Sequence, residues 1–207
     1  LPPTAIQRIR ERFTDDVSYV RAGEDARKVG DYNGALAWYR KALELNPRNL
    51  EGLRAYGAVL SEMGRGAEAA EVLQRAIQLA PDDAGSLSNL GSALLKLGRT
   101  EDALAKFQAA LELAPDSGIV LANTAQAYLK LDQPERALPL LERALRVDPN
   151  DVEILVIYGN ALGSVGRFQE ATVQFRAALR LSPNHSEAQD GLNIIRRFQA
   201  GQPVLGP

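Results

Sequence analysis

The chain holds one histidine, His185, and no cysteine. General acid–base catalysis, thiolate chemistry and metal ligation draw first on these two residue types. His185 follows Pro183 in a predicted turn with no nucleophile at motif spacing, and it reads as a solvated loop residue. The absence of cysteine excludes disulfides, thiolate nucleophiles and sulfur-ligated metals, but it does not choose between cytoplasm and periplasm. Carboxylates are numerous, yet Glu68, Glu71, Glu101, Asp102, Glu135 and Glu170 decorate predicted helix starts and outer faces. There they complement the helix dipole or face water. The glycines stand singly, so no phosphate-cradling loop is present. Lysines and arginines are dispersed, and the formal net charge is −2. No global field therefore draws nucleic acid or an anionic membrane. No apolar run approaches the roughly 20 residues of a membrane helix. These residues predict no catalytic site, no metal and no cofactor.

The elements that carry the remaining polar groups are clearest between Ala84 and Ser117. Leu87, Leu90, Leu94 and Leu97 recur at three- and four-residue steps, which places them on one face of a helix. Gly98 ends that helix, because glycine enters the left-handed cap conformation without a steric penalty. Thr100, with Glu101 and Asp102, is expected to cap and open a second helix. Ala103, Phe107, Ala110 and Leu111 form its apolar stripe, and Pro115 ends the unit. Such a hairpin buries one face and needs a partner for the other.

The chain supplies that partner by repetition. Pro47, Pro81, Pro115, Pro149 and Pro183 are each 34 residues apart. They define five units, 16–49, 50–83, 84–117, 118–151 and 152–185. Gly23, Gly57, Gly91, Ala125 and Gly159 share one phase, as do Ala35, Ala69, Ala103, Ala137 and Ala171. Tyr39, Leu73, Phe107, Leu141 and Phe175 align four places later, and Ala42, Ala76, Ala110, Ala144 and Ala178 complete the set. A fixed period with small and large columns in register is the signature of stacked repeats.

The units resemble tetratricopeptide repeats, carried here by Leu87, Leu90-Gly91, Leu94, Ala103, Phe107, Ala110 and Pro115. The fifth unit repeats the pattern with Leu155, Tyr158-Gly159, Leu162, Ala171, Phe175, Ala178 and Pro183. The resemblance implies an all-α fold, a right-handed α-solenoid of stacked antiparallel helix hairpins. The matching residues are packing residues, so the resemblance is specific for fold and says little of function.

Residues 1–15 lie outside the repeat columns. Ile6, Ile9 and Phe13 form one stripe there, which reads as a cap over the first repeat or as a docking face for a neighbour. Trp38 is expected to pack against this leading segment. Asp132-Gln133-Pro134 replaces the Gly-Arg turn of other units, with Pro134 suited to a first helical position and Pro139 expected to cause a small kink. Ser186 with Gln189 reads as a capping box that opens a terminal helix, 186–199. Residues 200–207 are rich in turn residues and read as a frayed tail or linker. The chain begins at Leu1 without an initiator Met, so targeting information is expected to be missing from it. High alanine and arginine usage points to a bacterial source.

In the family the first helix of each unit lines an inner groove. Carried onto this chain, the second, fifth, sixth, ninth, twelfth and thirteenth places give Arg54, Ser88, Asn89, Ser92, Lys96, Asn123, Gln126, Lys130 and Asn160 as the candidate peptide-binding residues. An amide both donates and accepts, so a row of asparagine and glutamine suits an extended peptide backbone. The lysine–asparagine–arginine clamp that holds chaperone tails in other members needs a set of positions that no three consecutive units provide. The leading expectation is a non-enzymatic protein-interaction module that binds a peptide or partner helix. Self-assembly through Ile6, Ile9 and Phe13, and service as the recognition arm of a larger enzyme, stay open beside it.

Overall fold

A computed structural model describes residues 15–201. Ile6, Ile9 and Phe13 lie outside the described residues, and so does the expected contact of Trp38 with the leading segment. Eleven α-helices follow one another among the described residues. They are α1 (Asp16–Lys28), α2 (Tyr32–Leu45), α3 (Leu50–Glu62), α4 (Gly66–Leu79), α5 (Ala84–Lys96), α6 (Thr100–Leu113), α7 (Gly118–Lys130), α8 (Pro134–Val147), α9 (Val152–Ser164), α10 (Phe168–Leu181) and α11 (Ser186–Gln199). The fold is all-α and consists of tandem antiparallel hairpins.

Local chemistry sets the helix ends. Asp15, Asn49, Asp83 and Asp151 precede first helices, and each side chain accepts a backbone N–H three residues on, at 2.7, 2.7, 2.8 and 3.0 Å. This satisfies donors that a helix start otherwise leaves orphaned. Inside the hairpins, Gly30, Gly64, Gly98 and Gly166 take positive φ, and Asp132 does the same work at φ 56°. A non-glycine residue in that region is uncommon, and aspartate is among the few that tolerate it. Pro134 occupies the first turn of α8, and the helix continues through Pro139 to Val147.

Two expected caps differ in the structure. Thr100 is not a cap but the buried first residue of α6, which Arg99 precedes. The Arg99 guanidinium grips Asp102 at 2.6 Å, as Arg65 grips Glu68 and Arg167 grips Glu170 at 2.6 Å each. The first-turn carboxylate is thus held by an arginine in front of it rather than by a threonine cap. Ser186 likewise lies inside α11. His185 is its N-cap, with the ring nitrogen Nδ1 3.4 Å from the Ala188 N–H, and Gln189 Nε2 donates instead to the Pro183 carbonyl at 2.9 Å.

The chain divides into two compact units, one ending at Leu113 and one beginning at Ala114. In the first, α1–α2, α3–α4 and α5–α6 pair as hairpins; in the second, α7–α8 and α9–α10 pair and α11 packs on α9 and α10. Within each unit, consecutive first helices also touch: α1 with α3, α3 with α5, α7 with α9. No comparable contact joins the second helices. Each unit is therefore a segment of α-solenoid whose inner layer is its first helices.

The alanine columns at 35, 69, 103, 137 and 171, and at 42, 76, 110, 144 and 178, are fully buried. Tyr39, Leu73, Phe107 and Leu141 are fully buried beside them, and Phe175 nearly so. Burying a side chain of that size contributes about 1.5–3 kcal/mol. The small column explains how helices approach closely enough to achieve this: a Cβ added at Gly91 would lie 2.6 Å from Phe107 Cε1. Trp38 stacks on Tyr19 with ring centroids 5.8 Å apart, under Lys41 Nζ at 4.6 Å from the indole.

Candidate functional site

The first unit holds five of the nine predicted inner-face residues on α3 and α5. Arg54 is half-buried, and its Nη1 lies 3.3 Å from Asp83 Oδ1, the carboxylate that also caps α5. This pins the guanidinium against the next hairpin. Lys96 Nζ donates to the Ser61 carbonyl at 2.8 Å, so the ammonium bridges α5 to the end of α3. Asn89 and Ser92 are half-buried. Ser88 is only 5% exposed, so most of its surface belongs to the packed interior rather than to an open face. Ser61, near the end of α3, is also 5% exposed, and its Oγ has no hydrogen-bond partner among the described residues.

The second unit holds the other four on α7 and α9. Asn123 is half-buried, while Gln126, Lys130 and Asn160 are exposed. Asn160 Nδ2 donates to Glu187 Oε1 at 2.7 Å, which ties α9 to the first turn of α11. His185 Nε2 lies 3.1 Å from Glu153 Oε1 and makes a second link between the same helices. His185 is therefore not a solvated loop residue: its side chain is 17% exposed, caps α11 through Nδ1 and contacts the Glu153 carboxylate through Nε2. Glu187 escaped the sequence reading, although it stands at the second place of a sixth 34-residue register beginning at Ser186.

Two tyrosines link helices beside this layer, one within the α1–α2 hairpin and one between consecutive hairpins, α8 to α9. Tyr39 donates to Glu24 at 2.7 Å and Tyr158 to Glu142 at 2.9 Å. Burial, reinforced by the carboxylate acceptor, pushes the Tyr158 phenol up to about 12, and Tyr39 is raised for the same reasons. Among the described residues no group of three His, Asp or Glu side chains is placed to hold a metal ion. No helix among them is long and apolar enough to cross a membrane. What the arrangement can do chemically is hydrogen-bond and pair charge along the first helices.

Three tetratricopeptide repeat models match residues 26–94, 82–150 and 122–186, together spanning most of the chain. The chain belongs to the tetratricopeptide repeat family. Solved structures agree in fold. TTC0263, a thermophilic TPR protein in Thermus thermophilus, is 22% identical with a TM-score of 0.78, covering 87% of this chain and 98% of its own. PilF from Pseudomonas aeruginosa is 19% identical with a TM-score of 0.72, covering 93% and 100%. YrrB, described as a TPR protein with an unusual peptide-binding site, is 21% identical with a TM-score of 0.62, covering 92% and 98%. No curated protein matches the chain.

Proposed function

We propose that this protein is a non-enzymatic interaction module that binds an extended peptide segment along its first helices. The observation that carries the reading is the set of half-buried and exposed amides, Asn89, Asn123, Gln126 and Asn160, on the inner layer of both units. A peptide backbone offers one donor and one acceptor per residue, and an amide side chain answers both. The peptide-binding site ascribed to YrrB is consistent with this use of the fold. Pinned cations at Arg54 and Lys96 add fixed positive ends to the same surface in the first unit. Nucleic acid is a poor fit, because a net charge of −2 gives no backbone-tracking field.

The test is capture by the intact chain, used as bait and read by quantitative mass spectrometry. Asn89→Ala, Asn123→Ala and Asn160→Ala combined should lower recovery of the captured partner by about tenfold or more, since each lost hydrogen bond leaves a partner group unpaired. Helicity should not change. Equal recovery by the triple variant would move the binding site off the first helices.

A further inference from the structure

We infer that the second unit contains a specificity pocket, between α9 and α11, for one large apolar side chain of the bound peptide carrying a lysine or arginine next to it. The inference rests on the peptide-binding reading above and adds what kind of peptide is selected.

A cavity of about 220 Å³ opens among Gly159, Asn160, Gly163, Phe175, Gly191 and Ile194. One of these residues, Asn160, already belongs to the inner face. The cavity is shaped by where three glycines fall. A Cβ built at Gly163 meets nothing within 4 Å, so that wall is open space. The floor is the Phe175 ring, 2% exposed. It is pinned between two backbones: a Cβ at Gly159 would lie 2.6 Å from its Cε1, and one at Gly191 2.5 Å from its Cζ. The ring cannot rise to fill the space above it. Ile194 stands at the edge and is 51% exposed, although it is a large apolar side chain. Apolar cavities of about 150 Å³ already accept benzene, so this volume holds a phenylalanine or leucine side chain.

Charge identifies the neighbouring residue. Glu187 accepts from the Asn160 amide at 2.7 Å, and Glu153 faces His185 at 3.1 Å with its own side chain 73% exposed. Among the described residues neither carboxylate is paired with a lysine or arginine. Glu187, held against the pocket-lining Asn160, puts a carboxylate at the rim, which favours a cation adjacent to the inserted side chain and disfavours an acidic one.

The test uses the full chain, ¹⁵N-labelled, titrated with three synthetic peptides: GSGFRSGSG, GSGSRSGSG and GSGFESGSG. The first should shift the amides of Gly159, Gly163, Gly191 and Ile194 saturably. The other two should bind about tenfold more weakly or worse, as loss of a buried apolar group or of charge complementarity implies. Gly163→Leu places an isobutyl group in the open wall and should abolish the response while circular dichroism stays unchanged. Ile194→Ser, at an exposed position, should weaken it as a second, independent variant. Equal binding of the arginine and glutamate peptides, or a response that survives both variants, overturns the pocket. So does movement of the same amides in peptide-free protein on Val204→Ser with Leu205→Ser, which would show the chain's own tail filling the space. Saturable shifts at Asn89 and Asn123 with none at the pocket overturn it too, yet leave peptide binding standing. No shift anywhere speaks against both.

Discussion

The same substitution at two glycines one helical turn apart should have opposite effects on stability. Gly159 and Gly163 both lie in α9. At Gly159, an alanine Cβ would sit 2.6 Å from Phe175 Cε1 and 2.8 Å from its Cζ. Ordinary carbon contacts begin near 3.5 Å, so something must move by most of an ångström. The Phe175 ring is confined on its other side by Gly191 and cannot yield freely. Overpacking of this kind costs about 1–3 kcal/mol. Alanine returns about 0.5–1 kcal/mol as the better helix former. The net for Gly159→Ala is a loss of about 0–2.5 kcal/mol, centred on about 1 kcal/mol. At Gly163 nothing lies within 4 Å of the added carbon, so only the gain of about 0.5–1 kcal/mol remains. In a chain of this length 1 kcal/mol moves the melting temperature by about 2–4 °C. Urea denaturation followed at 222 nm, with amide exchange on α9 as a local readout, should place the variants on opposite sides of the parent. A stabilised Gly159→Ala, or two variants that shift together, would refute the packing argument.

Further expectations follow from the capping and hydrogen-bond geometry. Asp132→Gly should raise stability by about 0.5–1 kcal/mol, because glycine takes the positive φ of 56° without steric cost; a lower melting temperature would mean that the aspartate side chain matters more than its backbone. His185→Ala should speed amide exchange at the start of α11 in proportion to about 1 kcal/mol, the usual worth of an N-cap, and unchanged exchange at Ala188 would deny the cap. The Tyr158 phenol should ionise near pH 12 in the folded protein, above its ordinary value near 10. Its raised value means that the stability it contributes is complete below pH 10 and lost as pH climbs through 12. Absorbance at 295 nm should therefore show a late-titrating component that Tyr158→Phe removes; an unaltered curve would contradict the Glu142 hydrogen bond.

Fold was legible because packing of this kind leaves periodic marks. Gly91 leaves the room that Phe107 fills, since an added Cβ would lie 2.6 Å from the ring, and that requirement recurs at 34-residue steps as a small–large pair of columns. Helix ends were read less well. Thr100 and Ser186 match capping preferences, but Arg99 and His185 hold those positions, because arginine can reach the first-turn carboxylate and an imidazole nitrogen can accept a backbone N–H. Inner-face assignments depend on helix phase alone, which places Ser88 correctly on α5 but cannot reveal that its surroundings close over it. Gly163 and Gly191 lie 28 residues apart on different helices. Each reads as an isolated glycine, and the cavity they both line shows only in the folded chain. Nor does Glu187 announce itself as the partner of Asn160, since that pair joins a repeat to the helix that follows it.

Amide hydrogen exchange on the intact chain, with and without the partner recovered by capture, tests the binding surface most directly. Slowed exchange concentrated in α5, α7 and α9, with α4, α6, α8 and α10 unaffected, is the predicted footprint. Protection confined to the second helices, with the first helices exchanging as they do alone, would contradict it.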